Sequence, residues 1–188
     1  MPSPSFPTDP VALAQDLIRC QSVTPADDGA QALLASVLEG MGFEVTHLPF
    51  GPEDAPTPNF YARIGTGSPS LCFAGHTDVV PPGEGWAHDP FSAEIHDGRL
   101  YGRGIADMKG GVACSVAAIA RFLQSRPLKG SISFIITGDE EGPASFGTMP
   151  VSEWLAAWGE VPEFSLLGSL TNPSHLGDPN QYGRLRRQ

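Results

Sequence analysis

Ser131-Ile-Ser-Phe-Ile-Ile-Thr137, followed at once by Gly138-Asp139-Glu140-Glu141-Gly142, is the stretch on which the fold turns. The first seven residues are apolar and β-branched, the pattern of a buried strand. Unpaired carboxylates are costly to bury, so a strand ending in three acids between glycines is expected to open at the mouth of a sheet. There the acids would face water, a cation or both. In open α/β sheets ligands bind beyond the carboxyl ends of the strands. In extended backbone adjacent side chains point to opposite sides, which would let one of Glu140 and Glu141 bind a metal while the other addresses water or substrate. Read alone, the same residues are also a solvated acidic turn, because short motifs recur by chance.

Working outward, Gly102 to Gly111 opens an Ala- and Val-rich helix reaching about Ser125, which joins a strand at Ser70–Ala74 to the strand at 131–137. A strand–helix–strand link of this length predicts parallel pairing. Asp9-Pro10 ahead of Val11, Leu13, Leu17 and Ile18 predicts a capped helix. A second helix is expected from about Asp28 to Met41, and strands at Phe43–Leu48 and Asn59–Ile64. Asp97-Gly98 between short β-prone runs predicts a hairpin. Val151–Trp158 reads as a helix and Phe164–Leu167 as a strand. No repeats or low-complexity tracts interrupt the pattern. The expected fold class is α/β: a three-layer sandwich around a central, largely parallel mixed sheet.

The chain of 188 residues can bury a core of its own. Its 11 basic and 21 acidic residues leave a net charge of −10, which argues against a nucleic-acid or anionic-membrane partner and suits a cation site. Cys20, Cys72 and Cys114 are scattered without zinc-finger spacing, as reduced cysteines of a cytoplasmic protein would be. The Pro-rich start, Met1 to Pro10, does not read as a signal peptide. No apolar run is long enough to span a bilayer.

Three clusters distant in sequence fall on loops at strand ends: His76 with Asp78, Asp107, and Glu140 with Glu141. Residues i and i+2 of an extended chain face the same way, so Asp78 could brace the His76 ring from behind, as carboxylates do for metal-bound histidines. Each cluster has a plainer reading too: a histidine satisfied by backbone, and a carboxylate capping the helix after Asp107. Together they offer imidazole and carboxylate, a ligand set zinc accepts. The glycines at 102, 104, 110 and 111 fit neither a dinucleotide fingerprint nor a phosphate loop.

Phe73-Ala-Gly-His-Thr-Asp-Val-Val-Pro-Pro-Gly83, Leu100-Tyr-Gly-Arg-Gly-Ile-Ala-Asp-Met-Lys-Gly-Gly111 and Gly138-Asp-Glu-Glu-Gly-Pro143 resemble the motifs of the zinc aminoacylase/carboxypeptidase family, closest to its bacterial desuccinylase branch. The likeness runs from about Val11 to Asp178. It implies two zinc ions, with cobalt as a substitute: His76 on one, Asp107 bridging both, Glu141 on the second. It makes Glu140 the general base and Asp78 the residue behind His76, and it implies a non-proline cis peptide at Asp107–Met108. The implied reaction is hydrolysis of N-succinyl-LL-2,6-diaminopimelate to succinate and LL-2,6-diaminopimelate, in lysine and diaminopimelate synthesis. Acetylornithine deacetylase, aminoacylase or metallocarboxypeptidase activity is the alternative within the family, and a non-catalytic remnant the alternative outside it.

The resemblance also has departures. Ser169 stands where the family carries a further ligand glutamate, and residues 179–188 form a divergent C-terminal tail. Residues 1–178 are then expected to be the N-terminal part of a catalytic domain whose dimerisation domain, and with it the family's homodimer contact, is missing here. Each zinc would lack one ligand of the usual three, so the chain is expected to be weak or inactive, with an exposed sheet edge and apolar surface. His88, His96 and His175 are read as surface histidines.

Overall fold

In the structure, a computed structural model that describes residues 7–168, Ser131–Thr137 is the middle strand of a five-stranded sheet. The strands are β1 (Glu44–His47), β2 (Phe60–Gly65), β3 (Ser70–His76), β4 (Ile95–His96), β5 (Arg99–Leu100), β6 (Ser131–Thr137) and β7 (Phe164–Leu167). The sheet runs β1-β2-β6-β3-β7, and β4 and β5 form a separate hairpin. β3 pairs parallel with both β6 and β7, while β2 runs antiparallel to β1 and β6. The sheet is therefore mixed, its parallel part lying where the sequence predicts the helical connection.

Alternation along β6 builds two cores. Ile132, Phe134 and Ile136 point to one face, where they meet α1 (Pro10–Arg19), α2 (Ala30–Gly40) and α3 (Gly110–Ser125) through Leu17, Leu34, Leu38, Val112 and Val116. Phe134 stacks on Phe73 at 5.3 Å and meets Phe43 edge-on at 5.6 Å. Truncating such a ring to alanine typically costs about 3–5 kcal/mol. On the opposite face Ile135 and Tyr61 pack under α4 (Thr148–Trp158) through Val151 and Leu155. Helices thus cover both faces, giving three layers.

Local chemistry explains the boundaries. Asp9 caps α1 by accepting from the Val11 N–H at 2.9 Å, with Pro10 in the first turn. α2 begins at Ala30 rather than Asp28, because Asp28 and Gly29 take left-handed backbone (φ 48° and 82°) and the Asp28 carboxylate accepts from the Ser22 N–H. α4 starts three residues before its expected beginning, since Pro150 in the first turn has no N–H that the helix needs. The hairpin turns on Asp97 and Gly98, both at positive φ, as the Asp-Gly pair demands.

Among the described residues β7 pairs only with β3, and Phe164 and Leu167 on it are exposed. No helix among the described residues is long and apolar enough to cross a membrane.

Candidate metal centre

β3 and β6 end side by side, His76 opposite Thr137. The loops bearing Asp78 and Glu140–Glu141 therefore leave from one edge of the sheet, at the carboxyl ends of its parallel strands. The third loop comes from an irregular turn, Ile105–Lys109, in which Asp107 and Met108 depart from helical backbone and are joined by a cis peptide. Met108 is buried against β3 at Gly75, where a Cβ would lie 2.9 Å from Met108 Cε and from Val112 Cγ2. Only a glycine there lets the turn come so close to the strand end.

These three loops bring His76 together with the acids. Its Nε2 lies 3.3 Å from Asp107 Oδ1 and 3.7 Å from Glu140 Oε2. One ligand atom each from His76, Glu140 and Glu141 fall within 4.8 Å of one another. Glu140 and Glu141 do not point to opposite sides, as extended backbone would require. The chain turns at 140–143, and the Asp78 carboxylate fixes that turn by accepting from both the Glu140 N–H (3.2 Å) and the Glu141 N–H (3.0 Å).

Asp78 also stands behind His76, though by a different atom from the one its spacing suggests. The backbone carbonyl of Asp78 accepts from His76 Nδ1–H at 2.9 Å, and the carboxylate is farther, at 3.5 Å. Either way the ring presents Nε2 to the carboxylates. Asp139 departs from expectation more sharply. It is 5% exposed, turned inward rather than to the mouth, and its carboxylate accepts from the N–H groups of Ser145 and Phe146 at 2.8 and 3.1 Å. Backbone donors make that burial tolerable.

The electrostatics suit a cation. Burial works against a charged His76, but hydrogen bonding and charge from Asp78, with Glu140 adding to them, raise its pKa to about 9. Burial likewise opposes the Asp78 charge, and the donors from His76, Glu141 and Glu140 overcome it, holding the carboxyl below its ordinary range. Glu141 is pushed up, by burial first and then by the charges of Asp107 and Glu140 against the pull of His76. Among the described residues, no lysine or arginine forms an ion pair with Asp78, Asp107, Glu140 or Glu141. One imidazole nitrogen facing three carboxylates, with no lysine or arginine paired to them among the described residues, is a donor set that fits a divalent metal of the zinc class.

Two cavities, each of about 520 Å³, flank the cluster. One is largely apolar and reaches from His76 and Glu140 past Met108 and Ile135 to Leu155 and Leu167. The other is walled by Trp86, Tyr101, Arg103, Asp107 and Glu141. Ser169, His175 and the 179–188 tail lie outside the described residues. His88 and His96, which the sequence presents as surface histidines, are stacked on each other beside Glu94. Glu94 and His96 stand two residues apart in extended chain, a spacing that puts both on one face.

Residues 72–177 match the model of peptidase family M20/M25/M40. The chain is 74% identical over 184 residues to a succinyl-diaminopimelate desuccinylase of Gluconobacter oxydans, covering 98% of this chain and 48% of that protein. It is 59% identical to one from Gluconacetobacter diazotrophicus, covering 94% and 46%. The chain thus spans about half the length of the curated relatives it matches. Among solved structures, human carnosine dipeptidase 1 superposes with a TM-score of 0.72 at 26% identity, over 86% of this chain and 38% of that one. An M20 family metallo-carboxypeptidase of Sulfolobus solfataricus superposes with a TM-score of 0.70 at 21% identity, over 85% and 37%, a likeness of fold.

Proposed function

This chain belongs to peptidase family M20/M25/M40, and from that premise we propose that it supplies the metal-binding loops of a desuccinylase acting on N-succinyl-LL-2,6-diaminopimelate in the cytoplasm. Family membership implies a divalent metal, and two zinc ions would be held by His76, Asp107 and Glu141, with Asp107 shared between them. The observation that carries it is the approach of His76 Nε2 to Asp107 Oδ1 and Glu140 Oε2, 3.3 and 3.7 Å, with no lysine or arginine paired to these acids among the described residues. The high identity to desuccinylases supports the substrate.

When bound, a metal pair supplies Lewis-acid activation of water and of the amide carbonyl. The chain's own residues do the rest. The Asp78 carbonyl keeps the proton of His76 on Nδ1, leaving Nε2 as a ligand. Its carboxylate holds the 140–141 backbone so that both glutamates face the same space. Glu140 takes a proton from the attacking water on its carboxylate and returns it to the nitrogen of the leaving amine. The apolar cavity beside His76 and Glu140 is large enough for one arm of an N-acyl amino acid.

On this assignment each metal would have two protein ligands among the described residues, one fewer than a catalytic zinc usually has, so slow turnover by this chain alone is part of the proposal, as is association as a homodimer. Zinc titration by calorimetry, followed by assay of succinate release, tests it. A fall in the number of zinc ions bound per chain in His76→Ala, with the N-succinyl substrate preferred over N-acetyl and peptidyl ones, supports the reading. Zinc binding unaffected by His76→Ala overturns it.

A further inference from the structure

We propose that His88, Glu94 and His96 form a separate divalent-cation site of the zinc class, sharing no ligand with the cluster around His76. His96 Nε2 lies 2.6 Å from Glu94 Oε2, and His88 Nδ1 lies 3.8 Å from the same oxygen. The three ligand atoms all fall within 4.8 Å of one another. Ligands about 2.0–2.2 Å from a tetrahedral zinc stand roughly 3.3 Å apart. The observed separations bracket that value, and rotation of the accessible rings out of their near-parallel stack would bring both in-plane lone pairs onto one ion.

The arrangement is held by backbone rather than by chance rotamers. Glu94 and His96 lie two residues apart, on one face of extended chain, where the Tyr101 N–H donates to the Glu94 carbonyl at 2.9 Å and continues the β4–β5 ladder. His88 returns to them through a tight turn in which Asp89 accepts from the Phe91 N–H through its side chain and from the Ser92 N–H through its carbonyl. Ala93, buried and at φ 59°, is tied to α1 because its carbonyl accepts from Gln15 Nε2 at 2.8 Å. The two imidazoles are stacked face to face, centroids 3.8 Å apart and 10° from parallel, and Tyr101 packs on His88 at 4.7 Å. The stack sets the two rings on one side of Glu94, each with a nitrogen turned to its carboxylate.

Two imidazoles and one carboxylate select zinc, cobalt, nickel or copper over magnesium and calcium, which prefer all-oxygen sites. All three side chains are accessible, so water completes the coordination. An ion here would fasten the 88–96 segment to the hairpin directly ahead of Tyr101 and Arg103, which wall the cavity shared by Asp107 and Glu141. The site is therefore an accessory clamp on one wall of the centre.

The test uses the full chain carrying His76→Ala, which removes the central site but leaves the hairpin intact. Equilibrium dialysis against zinc should still retain one ion per chain, and adding His88→Gln and His96→Gln should weaken that binding at least about tenfold. If the combined variant does not fold, imidazole nitrogen NMR of the His76→Ala protein decides. Zinc should then shift His88 Nδ1 and His96 Nε2. Unchanged binding in the combined variant, or zinc that leaves both ring signals in place, overturns the proposal. Loss of zinc in His76→Ala alone would also refute this site without touching the central one.

Discussion

The carboxylate of Asp78 reaches across 62 residues of sequence to accept from the N–H groups of Glu140 and Glu141, at 3.2 and 3.0 Å. That pair of bonds joins the end of β3 to the acidic turn after β6, and it aims both glutamates at His76. Asp78 is 2% exposed, so water cannot replace what it accepts.

Asp78→Ala should therefore cost more than a surface carboxylate would. Two part-buried donors lose a charged, buried acceptor, for which about 2–4 kcal/mol is expected. Asp78→Asn keeps one acceptor oxygen and should fall between. Urea unfolding of the metal-free protein reads the loss, and zinc titration of the same variants should show affinity falling in the same order. Parental zinc affinity in Asp78→Ala would show that the turn holds its shape without this residue.

His76 sets a pH dependence in the metal-free protein. Its folded pKa, about 9, exceeds its ordinary value of 6.5, so the folded state binds the proton more tightly. The resulting stabilisation is complete below about pH 6.5 and is lost as the pH rises through 9. At about 1.4 kcal/mol per unit, the contribution is at most roughly 3.5 kcal/mol. Thermal unfolding in chelator should decline across that window, and His76→Gln should flatten the decline. Parallel curves for the two proteins would remove His76 as the cause. Zinc should reverse the trend, because a neutral imidazole is the ligand.

Lys109 acts in the opposite direction and at higher pH. It is fully buried, its Nζ donating to the Cys20 carbonyl at 2.7 Å, and burial lowers its pKa to about 8. Its charged form is the costly one, so stability should rise as the pH passes from about 8 toward the ordinary value of 10.5. Lys109→Met should abolish that rise while changing stability near pH 7 by about 1 kcal/mol or less, since apolar replacement of a buried charge is often close to neutral. A rise that persists in Lys109→Met would assign it to another group.

What the sequence made legible follows from range. The strand at 131–137, the cap at Asp9 and the turn at Asp97-Gly98 depend on residues within a few positions, and each stands where the pattern puts it. The meeting of the His76, Asp107 and Glu140–Glu141 loops follows from parallel pairing of β3 with β6, which the intervening helix predicts. Misread features depend on distant partners. Asp139 turns inward because loop 145–146 offers it N–H donors, and the acidic stretch curls because Asp78 arrives from another strand. The stacking of His88 on His96 needs the return of a loop that no short-range periodicity encodes.

Gly75→Ala tests whether contact between β3 and the Asp107 turn places the proposed ligands. The added methyl would come within 2.9 Å of Met108 Cε and Val112 Cγ2. The end of Met108 can swing aside, whereas Val112 is β-branched and held on α3, so the strand end and the turn must separate. Overpacking of this kind usually costs about 1–3 kcal/mol. Separation would also lengthen the 3.3 Å approach of His76 Nε2 to Asp107 Oδ1, and zinc affinity should drop beyond what the loss of stability explains. Adding Val112→Ala makes room for the methyl and should restore zinc affinity even where stability stays low. If Gly75→Ala is destabilised yet binds zinc as the parent does, the turn is placed by something other than this contact.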